Sequence, residues 1–229
     1  MSLMQSENME YRFRSDLAYC YVDARPVFLD VREDRYFMLQ DVLEAAFKAF
    51  IAGDEVSPDL LGRLSHAEIL EPGDGIDGVP SPPAIISPQQ STLENTQVHR
   101  RSGALATMKA MTCLCRSGPR LRRNGFARSI AQLRQRKGDL AGRGPFCQAV
   151  VESRAADFQA ARCLFPAPQN CLPDSLALLD FLFGDGIIAD LVIGVRMNPY
   201  GAHCWVQSKD ILLNETIDYA ESFTPILVV

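Results

Sequence analysis

A stretch rich in proline and glycine, residues 71–102, divides this chain into two parts. It carries few large apolar side chains between its turn-forming residues, which are Pro72, Gly73, Gly75, Gly78, Pro80, Pro82, Pro83 and Pro88. Such a segment buries too little apolar surface to offset the entropy lost on ordering its backbone. We therefore predict a linker over residues 71–102, between a small module at residues 1–70 and a larger domain at residues 103–229.

Composition limits the class of protein. Hydrophobic residues make up 47% and charged residues 22% of the chain, as in globular proteins. The net charge of −5 argues against non-specific nucleic-acid binding. No apolar run approaches the ~18–20 residues of a membrane helix, and the polar N-terminus lacks the core of a signal peptide. We expect a cytoplasmic protein with neither a nucleic-acid nor a membrane partner.

The seven cysteines do not indicate a disulfide framework or a metal site. Their number is odd, and in a cytoplasmic chain disulfides are rare. The one close pair, Cys113 and Cys115, lacks the CxxC spacing of zinc or redox motifs. We expect no bound metal and read most of these cysteines as small buried residues.

The N-terminal module has the pattern of a small α+β fold. Runs rich in aromatic and β-branched residues predict three strands, over residues 17–23, 26–31 and 35–39. Apolar residues at spacings of three and four predict a helix over residues 42–51, which Gly53 ends. Ser57 and Pro58 then suit the N-cap and first position of a second helix, whose apolar face is Leu60, Leu61 and Leu64. An edge strand is predicted at residues 67–70.

The C-terminal domain is predicted as helices followed by strands. The helical segments are residues 104–114, 124–137, 146–164 and 171–184. The strands are residues 189–195, 202–206 and 211–213, and the apolar tail 225–229 could add an edge strand.

Cys171 is the strongest candidate for a catalytic residue. A cysteine nucleophile must be a thiolate with a base in reach and a group that orients the base. Leu172 and Pro173 open a helix directly after Cys171, because proline is favoured in a first turn. A helix N-terminus lowers a thiol pKa, since its free N–H groups favour negative charge. The alternative is a small buried cysteine.

His203 supplies a candidate base. Strand alternation puts His203 and Trp205 on one face, and Ala202, Cys204 and Val206 on the other. The next strand ends at Asn214 and Glu215, which could orient the imidazole, with Asp210 and Asp218 as reserves. The alternative is a core histidine bonded to a backbone carbonyl, and the residues alone leave both readings open.

The segments CLPDSLALLDFLFGDGIIADLVIGVR and AHCWVQSKDILLNE resemble the core of the lasso-peptide B2 proteins, a transglutaminase-like branch of the papain-type cysteine peptidases. The resemblance covers roughly residues 147–229 and implies a triad of Cys171, His203 and Glu215. Glu215 stands where that family has Asp, and Asp174 where it often has Arg.

The first module resembles the RiPP recognition element, a PqqD-like, winged-helix-type βββααα fold that some lasso-peptide B proteins fuse to the peptidase. The resemblance implies that the leader of a precursor peptide adds as a strand beside the third strand and packs on a helix. The positions implied are Arg35, Tyr36, Phe37, Met38, Leu39, Leu60, Leu61 and Leu64. The alternative is that these residues are core.

The function implied is removal of the leader from a lasso-peptide precursor, whose core then passes to an asparagine-synthetase-like lasso cyclase. Backbone N–H groups at the start of the 171–184 helix would hold the oxyanion, with Gln169 or Asn170 as added donors. One alternative is a non-catalytic scaffold that presents the precursor to the cyclase. Another is an acyltransferase acting on an amine.

A basic segment has no assigned role. Eight Lys and Arg residues and no acids lie between residues 116 and 137: Arg116, Arg120, Arg122, Arg123, Arg128, Arg134, Arg136 and Lys137. One interpretation is an anion site, because the resemblance extends to proteins described as needing ATP. A second is a surface for the acidic part of a precursor or for a partner enzyme, and a third is a solvated helix face. No Walker motif supports a nucleotide pocket, and we expect no bound cofactor.

Overall fold

The computed structural model describes residues 11–73, 82–94, 103–142, 144 and 147–229. The chain divides into two compact units, Met1–Pro82 and Pro83–Val229. Both mix helices with antiparallel strands, which gives the α+β class that the sequence predicts. No helix among these described ranges is both long and apolar enough to cross a membrane.

The first unit contains the three predicted strands. They form an antiparallel sheet in the order β2 (Leu17–Val22), β3 (Arg25–Asp30) and β4 (Arg35–Met38). Asp23 and Ala24 connect β2 to β3, and both have positive φ. This is the geometry of a two-residue type I′ hairpin turn, which matches the twist of the strands. The predicted meander is confirmed.

Two helices follow, and their ends obey the predicted capping. Helix α1 (Asp41–Ala52) ends at Gly53, whose φ of 77° suits glycine. Helix α2 (Pro58–His66) starts with the Ser57 side chain accepting the N–H of Leu60. Buried aromatic rings, among them Phe28 and Phe47, fill the space between the sheet and the helices.

The rest of the first unit departs from prediction. The edge strand predicted at residues 67–70 is β5 (Leu70–Pro72), because the turn that closes α2 occupies residues 67–69. It pairs with β1 (Tyr11–Phe13), a strand too short to predict, in a separate two-stranded sheet. The third helix of the βββααα order is absent from residues 11–73, where β5 follows α2 instead.

The second unit begins with two long helices. Helix α3 (Ala104–Leu140) contains both helices predicted at residues 104–114 and 124–137, and Gly125 separates its halves with a φ of 74°. Helix α4 (Gln148–Leu164) starts two residues later than predicted, and Pro145 and Phe146 lie outside the described residues.

The central helix of this unit is α5 (Cys171–Phe183), which packs on α3, α4 and the sheet. Its buried residues face several directions, as expected for a helix enclosed by neighbours. Leu178, Leu179 and Phe181 are fully buried, and each such side chain contributes about 1.5–3 kcal/mol through burial. This packing fixes the N-terminus of α5.

The sheet of the second unit has five strands. Their order is β10 (Thr224–Val228), β7 (Asp190–Met197), β8 (Tyr200–Ser208), β9 (Ile211–Leu212) and β6 (Gln90–Ser91). The predicted strands and the apolar tail strand are confirmed. A five-residue helix between β9 and β10, α6 (Ile217–Glu221), was not predicted.

The linker predicted over residues 71–102 is wrong at two places. Its first residues continue β5, and β6 joins the five-stranded sheet by pairing parallel with β9. The N–H groups of Gln89 and Gln90 donate to the carbonyl of Asp210, and Ser91 is buried. Composition cannot reveal β6, because this strand has only two residues and is held in place by pairing with the distant strand β9.

Candidate active site

Cys171 is the first residue of α5 and is half-buried. Asn170, the residue before it, has extended backbone angles and does not cap the helix through its side chain. The first N–H groups of a helix have no intrahelical acceptor, and at the start of α5 these belong to Cys171 and Leu172, a position suited to an anion. Pro173 follows in the first turn, as predicted.

His203 lies in the middle of β8, opposite Gly194 of β7. Its Nε2 lies 2.7 Å from Oε2 of Glu215. The imidazole also hydrogen bonds to the Cys171 sulfur, and because Glu215 occupies Nε2, the nitrogen left for Cys171 is Nδ1. The structure therefore brings together the three residues that the sequence singled out.

Hydrogen bonds within the site stabilise the charged forms of Cys171 and His203. Hydrogen bonds from the Cys204 thiol and from His203 lower the pKa of Cys171 to about 4, against the opposing effect of burial. Burial opposes the charging of His203, but hydrogen bonds to Cys171 and Glu215 raise its pKa to about 9. At neutral pH the pair is a thiolate and an imidazolium, the activated form of a cysteine nucleophile.

Glu215 is held through both its side chain and its backbone carbonyl. Its Oε1 accepts the N–H of Thr216 at 2.9 Å, and its carbonyl accepts the hydroxyl of Ser91 at 2.6 Å. Burial opposes ionisation, but the hydrogen bonds from His203 and Thr216 keep the pKa of Glu215 below its ordinary value. Ser91 lies in the predicted linker, and no sequence signal connected it with the site.

The other candidates for the orienting group have different positions. Asn214 accepts the N–H of Val206 at 2.7 Å and donates to Ser175 Oγ at 2.9 Å, so it secures the end of the sheet. Asp210 accepts backbone N–H groups through its carbonyl, and Asp218 is exposed on α6. Of these four residues, Glu215 is the one whose side chain contacts His203.

Aromatic rings surround the imidazole. Trp205 lies on the same face as His203, as alternation predicted, with its ring centroid 6.3 Å away. Tyr219 and Phe223 lie closer, at 5.0 and 5.3 Å. Gly194 makes room for this arrangement, since a Cβ there would lie 2.8 Å from Cβ of Phe223. The rings restrict the imidazole to one orientation and keep water from one side of it.

Cys204 is a member of the site that the sequence did not reveal. Alternation places it on the face opposite His203, where it is buried against α5. Its thiol hydrogen bonds to Cys171, and this bond raises the pKa of Cys204 well above its ordinary value, as burial does. Cys204 thus stays a neutral thiol beside the Cys171 sulfur, and the same thiol lies 3.9 Å from Ser175 Oγ.

The two side chains predicted as oxyanion donors are exposed. Gln169 and Asn170 lie in the loop before α5. The backbone N–H of Asn170 is already used, since it donates to Asp174 Oδ2 at 3.0 Å. The N–H groups of Cys171 and Leu172 are therefore better placed by the fold to face a developing oxyanion than the Asn170 backbone.

The predicted peptide-binding residues of the first unit divide into core and surface. Leu39 and Leu64 are buried in the core, so they cannot line a surface groove. Phe37 stacks on Phe28 at 5.2 Å. The remaining positions are half-buried or exposed: Arg35, Tyr36, Met38, Leu60 and Leu61. Strand β4 is an edge of its sheet, because it pairs with β3 alone among the described residues.

The basic segment lies on α3, on both sides of Gly125. Four of its arginines line a cavity of about 730 Å³: Arg116, Arg120, Arg123 and Arg136. Arg120 and Arg136 share the carboxylate of Asp180. Asp180 follows Cys171 by nine residues, or about two and a half helical turns, so the cavity lies on the opposite face of α5. The basic cavity is not part of the Cys171 site.

Among the described residues, no group of three His, Cys, Asp or Glu side chains could hold a metal ion. A family model described as the transglutaminase-like superfamily matches residues 113–228, just over half of the chain. The match includes Cys171, His203 and Glu215 and leaves the first unit outside it. No curated protein and no solved structure matches the chain.

Proposed function

The chain belongs to the transglutaminase-like superfamily, and on that premise we propose that it is a cysteine peptidase that removes the leader from a lasso-peptide precursor. One observation carries the proposal: a thiolate at a helix N-terminus touches an imidazole whose other nitrogen is bound to a carboxylate. This arrangement suits acyl transfer from a peptide carbonyl.

The reaction begins from the thiolate–imidazolium pair. The Cys171 sulfur attacks the carbonyl carbon of the scissile peptide bond, and the N–H groups of Cys171 and Leu172 face the oxyanion. His203 gives its proton from Nδ1 to the leaving amine, and the C–N bond breaks to leave a thioester. His203 then takes a proton from water, whose oxygen attacks the thioester and releases the leader as a carboxylic acid. Glu215 stabilises the imidazolium throughout.

We propose that the first unit binds the leader at the outer edge of its three-stranded sheet, beside β4. An extended peptide can pair with such an edge, and half-buried side chains along β4 can fix its register. Binding through the same chain raises the effective concentration of the cut site at Cys171. A separate lasso cyclase would take the released core peptide. Hydrolysis through these steps consumes no nucleotide.

The first test asks which reaction the site performs. The full chain is incubated with a peptide library in heavy-oxygen water that also contains methylamine. Hydrolysis places the heavy oxygen in the new carboxylate, whereas transfer to an amine yields methylamides. We expect heavy-oxygen carboxylates that Cys171→Ala abolishes and Cys163→Ala, a change at an exposed cysteine, does not. Methylamides as the main product would favour the acyltransferase function.

The second test concerns the substrate. The short peptide encoded nearest to the gene is made with and without its N-terminal segment. We expect cleavage at one bond, faster when the leader is intact, and unchanged leader binding in Cys171→Ala. Binding without cleavage by the wild-type chain would favour the scaffold function. Equal cleavage of both peptides would contradict leader recognition.

A further inference from the structure

Arg162 of α4 is a buried cation beside the loop of residues 165–170, which directly precedes Cys171. Its side chain is 6% exposed, which is unusual for arginine unless it is paired. Nε donates to Asp174 Oδ2 at 3.0 Å, and the two terminal nitrogens donate to the carbonyls of Ala167 and Phe165, at 3.1 and 3.4 Å. One guanidinium therefore holds both the loop before Cys171 and the first turn of α5.

Asp174 completes the connection to the nucleophile. The oxygen that accepts from Arg162 also accepts the N–H of Asn170 at 3.0 Å. Asn170 directly precedes Cys171, so the chain of contacts runs from Arg162 through Asp174 to the backbone beside the sulfur. Asp174 is also the acidic residue of the first turn of α5, only three positions from Cys171.

The effect of Arg162 on the nucleophile is one of position. The pKa of Cys171 is set by hydrogen bonds to Cys204 and His203 and by opposing burial, and each of those hydrogen bonds requires the sulfur to stay in place. The contacts of Arg162 hold the backbone on both sides of Cys171, in the preceding loop and in the first turn of α5.

We infer that Arg162 is a positioning residue for the proposed reaction: through Asp174 and the carbonyls of Phe165 and Ala167 it fixes the backbone on both sides of Cys171. The inference rests on the proposed function and deepens it. The contacts of Arg162 go to Asp174 and to backbone carbonyls, so its substitution removes no bond to the sulfur itself.

The test measures the thiolate directly. Iodoacetamide alkylation of Cys171 in the full chain is followed against pH by peptide mass spectrometry, in the wild type, Arg162→Gln, Arg162→Lys and Arg162→Gln/Asp174→Asn. Gln keeps hydrogen-bond donors but no charge, and Lys keeps the charge without the forked geometry. Arg154→Leu is the matched control, since Arg154 is an ion-paired arginine of α4 whose partners are Asp157 and Asp185. Thermal unfolding checks that each variant is folded.

We expect Arg162→Gln to move the sulfur away from its hydrogen-bond partners and to raise the pH midpoint of alkylation by about one unit, which roughly halves alkylation at about pH 5 and leaves it unchanged near pH 8. Arg154→Leu should follow the wild-type curve, Arg162→Lys should lie between the wild type and Arg162→Gln, and the double variant should be as impaired as Arg162→Gln because it lacks the same link to the backbone. An Arg162→Gln curve that matches the wild type, or a double variant that returns to the wild-type curve, would overturn the inference. A wild-type Cys171 that reacts only at alkaline pH would instead contradict the proposed function.

Discussion

Nε2 of His203 and Oε2 of Glu215 lie 2.7 Å apart, and this contact fixes the imidazole with its other nitrogen toward Cys171. Glu215 reaches the ring from a loop whose backbone is bound to Ser91. Glutamate, one methylene longer than aspartate, therefore reaches the imidazole from the loop after β9. Burial alone would lower the pKa of His203, and the hydrogen bond to Cys171, followed by this contact with Glu215, raises it instead.

Glu215→Gln removes the charge that stabilises the imidazolium. We expect the pKa of His203 to fall and kcat/KM for peptide cleavage to drop by about 100-fold or more. Glu215→Asp keeps the charge with a shorter reach and should lose about tenfold or less. NMR titration of the imidazole and cleavage kinetics measure the two effects. Wild-type activity in Glu215→Gln would show that the carboxylate has no role in orienting the base.

The pH dependence of cleavage follows from the ion pair. The pKa of Cys171 is lowered to about 4 and that of His203 is raised to about 9. Activity needs both charges, so kcat/KM should rise as Cys171 loses its proton near pH 4 and fall as His203 loses its own near pH 9. These limits belong to the coupled pair. A profile that rises only above about pH 8 would indicate an ordinary thiol.

A substitution at Gly194 tests the packing of aromatic rings around the His203 imidazole. A Cβ at this position would lie 2.8 Å from Cβ of Phe223 and 3.1 Å from the Trp205 ring. Gly194→Ala must displace buried groups, and we expect it to lower the free energy of unfolding by about 1–3 kcal/mol and to reduce cleavage. Gly201→Ala is the control on the same sheet, since its nearest neighbour would lie 3.4 Å away. Urea unfolding that does not separate these two variants would contradict this packing.

A substitution at Ser91 tests the hydrogen bond between β6 and Glu215. Its hydroxyl donates to the carbonyl of Glu215 and accepts the N–H of Leu93. Ser91→Ala should lower kcat/KM by about tenfold and the free energy of unfolding by about 1–3 kcal/mol. Thr92→Val is the matched control, because Thr92 donates to the carbonyl of Leu213 instead. Equal kinetic losses in both variants would mean that Ser91 has no specific effect on Glu215.

Local patterns predicted much of the fold and the first two members of the site. Gly53, Ser57 and Pro58 mark helix ends through backbone rules that hold in any fold, and the strand alternation around His203 is equally local. The start of α5 was predictable because Pro173 suits a first helical turn. These signals located Cys171 and His203 on the right elements.

Contacts between distant residues were not predictable. Ser91 joins Glu215 across 124 positions, and Arg162 joins Asp174 between two helices. Cys204 was assigned to the face opposite His203, but alternation could not reveal that this face packs on α5, where Cys204 meets Ser175 and Cys171. Single-sequence periodicity describes a face of an element but not what packs on it. The choice of Glu215 over Asn214 needed the family resemblance.

The central claim is that Cys171 is a thiolate at neutral and mildly acidic pH. The most direct measurement is the iodoacetamide alkylation rate of each cysteine in the full chain, resolved by peptide mass spectrometry at about pH 5.5 and about pH 8. We predict that Cys171 is the fastest-reacting cysteine at the lower pH and that its rate is nearly the same at both pH values. A Cys171 rate that rises steeply between the two pH values, as the rate of an ordinary thiol does, would contradict the account.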